Sequence, residues 1–124
     1  MMVVELTPLV VAERVKYVNA SIDESGTVNV FSSPVSGHIR YVFSTVLATT
    51  ISGGAVVQVA KVLASGSSDT IINTLPVSQN SPVWVPPSSH NPYAPIAVLQ
   101  GGENLRISES ISGSIKATCW YWDR

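Results

Sequence analysis

The sequence contains one cysteine, Cys119, and so can close no disulfide within a chain. That excludes the stapled scaffold typical of small secreted proteins. Charge is scarce as well. Lys, Arg, Asp and Glu make up 12% of the 124 residues, against roughly 25% in an ordinary soluble domain, and they nearly cancel, leaving a net charge of −1. Seven unclustered Lys and Arg cannot form the basic stripe that phosphate contacts need, so no nucleic-acid partner is expected. Met1-Met2-Val3-Val4-Glu5-Leu6 lacks a basic leader, and Glu5 and Glu13 fall where a signal peptide requires an apolar core. Sec-type export is therefore not expected, and synthesis in a reducing cytoplasm fits the lone thiol. No stretch shows a helical period longer than a turn or two, and no internal repeat points to a solenoid or propeller.

One segment needs separate treatment. Tyr41 to Ala60 carries no charge, and about 20 apolar residues can cross a bilayer as a helix. Here Gly53-Gly54 interrupts the run, and Ser44, Thr45, Thr49, Thr50, Ser52 and Gln58 make it too polar for hydrocarbon. Two strands and a turn explain it better, and no membrane partner is expected.

What the chain does have is β-branched bulk: 36 Val, Ile and Thr against 7 Leu. Such side chains are stiff at χ1 and suit a pleated surface. Eight Gly and eight Pro fall between the apolar runs as punctuation. The length fits one domain, residues 1–124, which can bury a two-layer core without metals. With 45% apolar residues and 26 Ser and Thr supplying most of the polarity, part of the exterior is expected to be covered by a partner, as in an oligomer.

The pattern predicts about eight strands. An N-terminal arm at 1–9 leads, past Pro8, to a strand at Val10 to Val18. The turn Asp23-Glu24-Ser25-Gly26 joins it to a second strand at Thr27 to Phe31 as a hairpin. Gly37 to Thr50 follows with Ile39, Tyr41, Phe43, Thr45 and Leu47 on one face and Val42 and Val46 on the other, so it is expected to be covered on both sides. Ser52-Gly53-Gly54 closes a hairpin with Ala55 to Leu63. A short strand spans Thr70 to Leu75. Residues 76–95, with six prolines, read as a mostly irregular loop in which Val83-Trp84-Val85 pairs briefly at an edge. Ile96 to Gln100, Leu105 to Ser110 and Ser114 to Trp122 close the fold. Turn signals every 8–12 residues or so indicate an all-β, jelly-roll-like antiparallel β-sandwich.

Catalytic chemistry is hard to assemble from these residues. His38 and His90 have no Cys, His or Glu at metal-ligand spacing, and both read as surface or interface polar groups. There is no Gly-x-Ser-x-Gly elbow and no phosphate- or dinucleotide-binding glycine motif. Cys119 shares a strand face with Ile115 and Ala117 and reads as a small buried hydrophobe rather than a nucleophile. Asp23, Glu24, Asp69, Glu103 and Glu109 are scattered over separate turns, outside any calcium-loop spacing, and read as solvated. Asn19-Ala20-Ser21 matches a glycosylation acceptor by chance. No catalytic residue, metal site or cofactor is expected, and the chain does not read as an enzyme.

The aromatic residues are the remaining candidates. Trp120 and Trp122 project from the face of the last strand opposite Tyr121. With Trp84 and Tyr93 they either pack in a core or interface or form a platform for a sugar; packing is the plainer reading.

Val35-Ser36-Gly37-His38-Ile39 opening a long strand, then Thr70-Ile71-Ile72, then Gly101-Gly102-Glu103-Asn104-Leu105-Arg106-Ile107-Ser108 before a Ser/Gly turn and a final strand, together resemble small β-sandwich virion proteins of tailed bacteriophages. The resemblance runs from Phe31 onward through short motifs. It implies a capsid decoration or cement protein: a structural virion module, often a homotrimer, that bridges major capsid subunits on the outer capsid surface. Similar folds also occur in fibres and tails, which leaves as the alternative a receptor- or carbohydrate-binding module of a phage fibre or tail. The candidate partner interface comprises Val3, Val4 and Leu6 in the arm together with Trp84, Tyr93, Trp120 and Trp122.

Overall fold

The computed structural model describes residues 15–22, 26–64, 69–85, 95–109 and 114–124. All regular structure among them is β, as the β-branched composition requires, so no helix there is long and apolar enough to cross a membrane. The strands are β1 (Lys16–Ile22), β2 (Thr27–Asn29), β3 (Arg40–Thr49), β4 (Ala55–Val62), β5 (Thr70–Val77), β6 (Val83–Val85), β7 (Ala97–Leu99), β8 (Asn104–Glu109) and β9 (Ile115–Asp123). The N-terminal arm, the tip of the first turn, His90 and Tyr93 lie outside the described residues.

Two antiparallel sheets face each other. One has the order β1-β9-β3-β6, with β7 pairing the same edge of β3 as β6 does; the other has the order β2-β8-β4-β5. The pairs β1·β9, β2·β8, β3·β6/β7 and β4·β5 are nested, as in one long hairpin whose tip is the β4–β5 connection. Rolling that ribbon adds β9·β3 and β8·β4 and yields the jelly-roll order.

This topology corrects two of the expected hairpins. β1 and β2 lie in different sheets, and so do β3 and β4. The turn at residues 52–54 does form, with the Gly54 N–H donating to Ile51 O at 3.0 Å, but it carries the chain across the sandwich. Gly54 has φ +74° and packs so tightly that a Cβ there would sit 2.5 Å from Val77 O. Glycine is required by both conditions. A local turn signal is the same whether the chain returns beside its neighbour or crosses to the opposite sheet.

The proline-rich stretch is also more regular than expected where it is described. Pro76 lies within β5, paired with Val56, and β5 is an edge strand, where a missing donor leaves no ladder partner unmet. Trp84 and its neighbours pair with β3 at an edge as anticipated.

Inward-facing residues form one core. Val42, Leu47, Ile115 and Cys119 come from the first sheet, and Val57, Val59, Leu105 and Ile107 from the second, all at most 1% exposed. Asn104 is buried among them, with both its amide oxygen and its amide nitrogen engaged. Its Oδ1 accepts from the Phe31 N–H at 3.3 Å and the Leu105 N–H at 2.8 Å, and its Nδ2 donates to Phe31 O at 3.0 Å. The side chain thus continues the β2·β8 ladder past the end of β2, satisfying backbone groups that would otherwise be buried unpaired.

Candidate functional site

The outer face of the first sheet is aromatic. On β9, Ile115, Ala117 and Cys119 point into the core while Trp120 and Trp122 alternate to the opposite side, as a period of two dictates. Tyr17 of β1 stands opposite Trp120, Tyr41 of β3 opposite Trp122, and Trp84 of β6 opposite Val46. Trp84 stacks on Trp120 with centroids 5.6 Å apart and planes at 26°, and Tyr41 stacks on Trp122 at 5.4 Å and 22°. Such offset stacks hold the rings in fixed positions. Trp84 remains 49% exposed and Tyr17 65%.

A β-bulge sets this arrangement. The register of β3 against β9 shifts between Val42 and Thr45, so Phe43 and Ser44 together face the one residue Trp120. The expected single face of Tyr41, Phe43, Thr45 and Leu47 is thereby broken. Tyr41 faces outward, whereas Thr45 and Leu47 are wholly buried with Val42. Phe43 is buried without belonging to the central cluster. The residue-by-residue pattern carries no mark of the extra residue.

Lys116 is the one charged side chain that the described strands of this sheet direct outward, with Asn19, Ser21 and Thr118 around it. The outer face of the other sheet is different in kind. Thr27, Asn29, Gln58, Thr74 and Ser108 lie there with an Arg106–Asp69 ion pair at 2.9 Å, and Val56 and Ile71 are its exposed apolar residues.

A second cluster lies at one end of the sandwich. Arg40 grips Asp123 bidentately, Nε to Oδ1 at 2.6 Å and Nη2 to Oδ2 at 2.9 Å. Its guanidinium carbon is 4.3 Å from the Phe31 ring centroid and 4.7 Å from that of Tyr121, and these two rings meet edge to face at 5.0 Å. His38 Nδ1 lies 3.0 Å from Ser36 O, and Nε2 lies 3.3 Å from Arg40 Nη2 and 3.5 Å from Asp123 Oδ2. The hydrogen bond from Arg40 holds the Asp123 carboxyl below the usual carboxylate range, and the same bond raises Arg40.

No protein-family model matches the chain, and no curated protein does either. Among solved structures it is similar to the chain of T=1 particles derived from infectious bursal virus, with TM-score 0.40 and 17% identity over 87% of this chain and 31% of that one. A chain of the infectious bursal disease virus Gx strain gives TM-score 0.39 and 16% identity over 88% and 32%. This chain spans about a third of their length. A likeness of that degree assigns no function.

Of the expected interface residues, Trp84, Trp120 and Trp122 come together on one face, while Val3, Val4, Leu6 and Tyr93 lie outside the described residues. Tyr17 and Tyr41 join the three tryptophans. Both could have been found once β1 and β3 were placed beside β9. The acidic residues depart from expectation: Asp69 pairs with Arg106, and Glu103 sits 3.2 Å from Lys61 while accepting from the Gln100 N–H at 2.7 Å. They pin turns to strands rather than simply facing water. His38 likewise belongs to the Arg40 network. Cys119 is buried as expected, and burial pushes its thiol up to about 11, which removes the thiolate a nucleophile needs. Among the described residues no three His, Cys, Asp or Glu gather to hold a metal ion.

Proposed function

We propose that this chain is a structural virion protein, a jelly-roll module that uses the aromatic face of its five-stranded sheet to dock on other protein surfaces. The observation that carries this reading is the one-sidedness of the sandwich. Five aromatic side chains from β1, β3, β6 and β9 share one outer face with one lysine, whereas the described residues of the opposite outer face include no aromatic and set hydroxyls, amides and an ion pair around the exposed aliphatic Val56 and Ile71. Aromatic residues with few charges are what the buried centre of a protein interface selects, and rings already fixed by stacking lose little further freedom on binding. The jelly roll is a frequent architecture of viral capsid and lectin domains, and repeated weak contacts on a symmetric shell bind by avidity without a deep pocket. Within that role we assign it as a capsid decoration or cement protein, homotrimeric, on the outer surface of a phage head, and without catalytic activity.

The test is light-scattering mass in solution together with co-sedimentation on capsids, for the natural chain and for Trp84→Ser and Trp120→Ser. Oligomers that sediment with capsids, and a loss of both properties in folded variants, support the reading. A monomer at micromolar concentration that ignores capsids overturns it. A carbohydrate-binding role is the second reading, favoured by the half-exposed Trp84 ring, since flat rings stack on apolar sugar faces. Glycan-array binding that disappears in Trp84→Ala would select it.

A further inference from the structure

We propose that the cleft at the Arg40 end of the sandwich is a binding site for a carboxylate, separate from the aromatic face. The cleft holds about 310 Å³ and is lined by Phe31, Ser33, Ser36, His38, Arg40 and Tyr121, among others. That volume is at the small end for organic ligands, enough for one acidic side chain or a small organic acid. Arg40 stands inward on β3 beside Tyr121 and Asp123, whereas Tyr41 and Trp122 point outward, so the two sites occupy different surfaces of the molecule.

The chemistry follows from how Arg40 is committed. Its Nε and Nη2 edge is taken by Asp123, and the remaining Nη2 hydrogen points at His38 Nε2. Nη1 has no hydrogen-bond partner among the described residues. A guanidinium has five donors and no acceptor, so Nη1 offers two N–H groups to whatever enters. It also cannot swing away, because the bidentate grip and the two flanking rings fix its plane. A donor immobilised before binding loses little entropy on binding. Asp123 is already matched by Arg40, and among the described residues no acidic side chain lines the cleft. The exposed hydroxyls of Ser33 and Ser36 stand at the rim as further donors. Fixed N–H donors and hydroxyls, with no competing acid among the described lining residues, suit an anion, and a singly charged carboxylate matches a guanidinium that already shares its charge with Asp123.

The test is an amide-shift NMR titration of the full chain with N-acetylglutamate, with N-acetylglutamine, and with the capped peptide acetyl-Gly-Glu-Gly-amide. Saturable shifts confined to the amides of residues 31–40 and 119–124, with N-acetylglutamate at least tenfold tighter than N-acetylglutamine, are expected. Tighter binding of the capped peptide assigns the carboxylate to a protein side chain, and tighter binding of the free amino acid derivative to a small molecule; either order upholds the site. Arg40→Lys, which keeps the charge but has no separate nitrogen left to offer a ligand while its ammonium holds Asp123, should weaken N-acetylglutamate at least tenfold. Should that variant fail to fold, the acid-against-amide comparison on the natural chain decides alone. Equal affinity for acid and amide, or shifts that stay linear and scattered over the surface, would overturn the assignment.

Discussion

The hydroxyl of Thr45 donates to Cys119 Sγ at 3.1 Å across β3 and β9, both residues being fully buried. The pair occupies the register position immediately after the bulge, so it marks where β3 turns its inward face back to the core. The thiol, pushed up to about 11 chiefly by burial, is almost wholly protonated at neutral pH. A water-soluble disulfide reagent should therefore leave native Cys119 unmodified for hours and label it stoichiometrically in denaturant. Rapid labelling of the native protein would contradict the burial. Thr45→Val, which replaces the hydroxyl by a methyl of similar size, should change stability by no more than about 1 kcal/mol, because sulfur is a weak acceptor and an apolar replacement adds no unmet polar group.

Asn104 is a more demanding buried polar residue. Asn104→Leu removes the partners of both the Phe31 N–H and the Phe31 carbonyl, and a buried unpaired group costs about 1–3 kcal/mol. A loss of about 2–4 kcal/mol in urea unfolding is expected, with the two groups acting together. A loss below 1 kcal/mol would mean that water reaches the Phe31 backbone.

The Arg40–Asp123 clasp predicts an acid-sensitive component of stability. The Asp123 carboxyl is lowered by the hydrogen bond from Arg40, so the folded state holds the proton more weakly than the unfolded chain. Its contribution is complete above the ordinary carboxylate range, near pH 4, and is lost as the pH falls through and below that range. Asp123→Asn should cost about 1–2 kcal/mol at pH 7 and flatten the decline of stability below pH 4 in thermal melts. An unchanged acid limb would assign the decline to other carboxylates.

The two turn glycines should separate conformational from steric cost. Gly53 has φ +85° with open space where a Cβ would go, whereas Gly54 has φ +74° with Val77 O in the way. Gly53→Ala is expected to lose about 1–2 kcal/mol, the cost of a left-handed residue. Gly54→Ala should lose clearly more in the same chemical denaturation series, because backbone must also move. Equal losses would refute the close approach of β4 to the end of β5.

Most strands were legible because their causes are local, although the first runs on to Ile22, past its expected end at Val18. Alternation along Ile115, Ala117 and Cys119 placed Trp120 and Trp122 together before any pairing was known, and Val83-Trp84-Val85 stood out among prolines that could not pair. Partnership was not legible: Ser52-Gly53-Gly54 marks a turn without marking which sheet receives the next strand. The bulge at Phe43-Ser44 escaped because an inserted residue leaves composition and polarity unchanged. The Arg40 cluster joins side chains 83 positions apart, and no local window contains both.

The nesting of the pairs has a consequence for how the molecule is made. β9 lies between β1 and β3, so inside the first sheet two earlier strands are joined by one that is synthesised after all the other described strands. Until it arrives, β1 has no hydrogen-bonding neighbour among the described strands and β3 has one edge bare, while the described strands of the second sheet are all present through β8. Contacts so distant along the chain form slowly, and a half-built sheet with open edges is prone to pair with its own kind. A ribosome-bound chain lacking β9 is thus the form of this protein most exposed to misassembly.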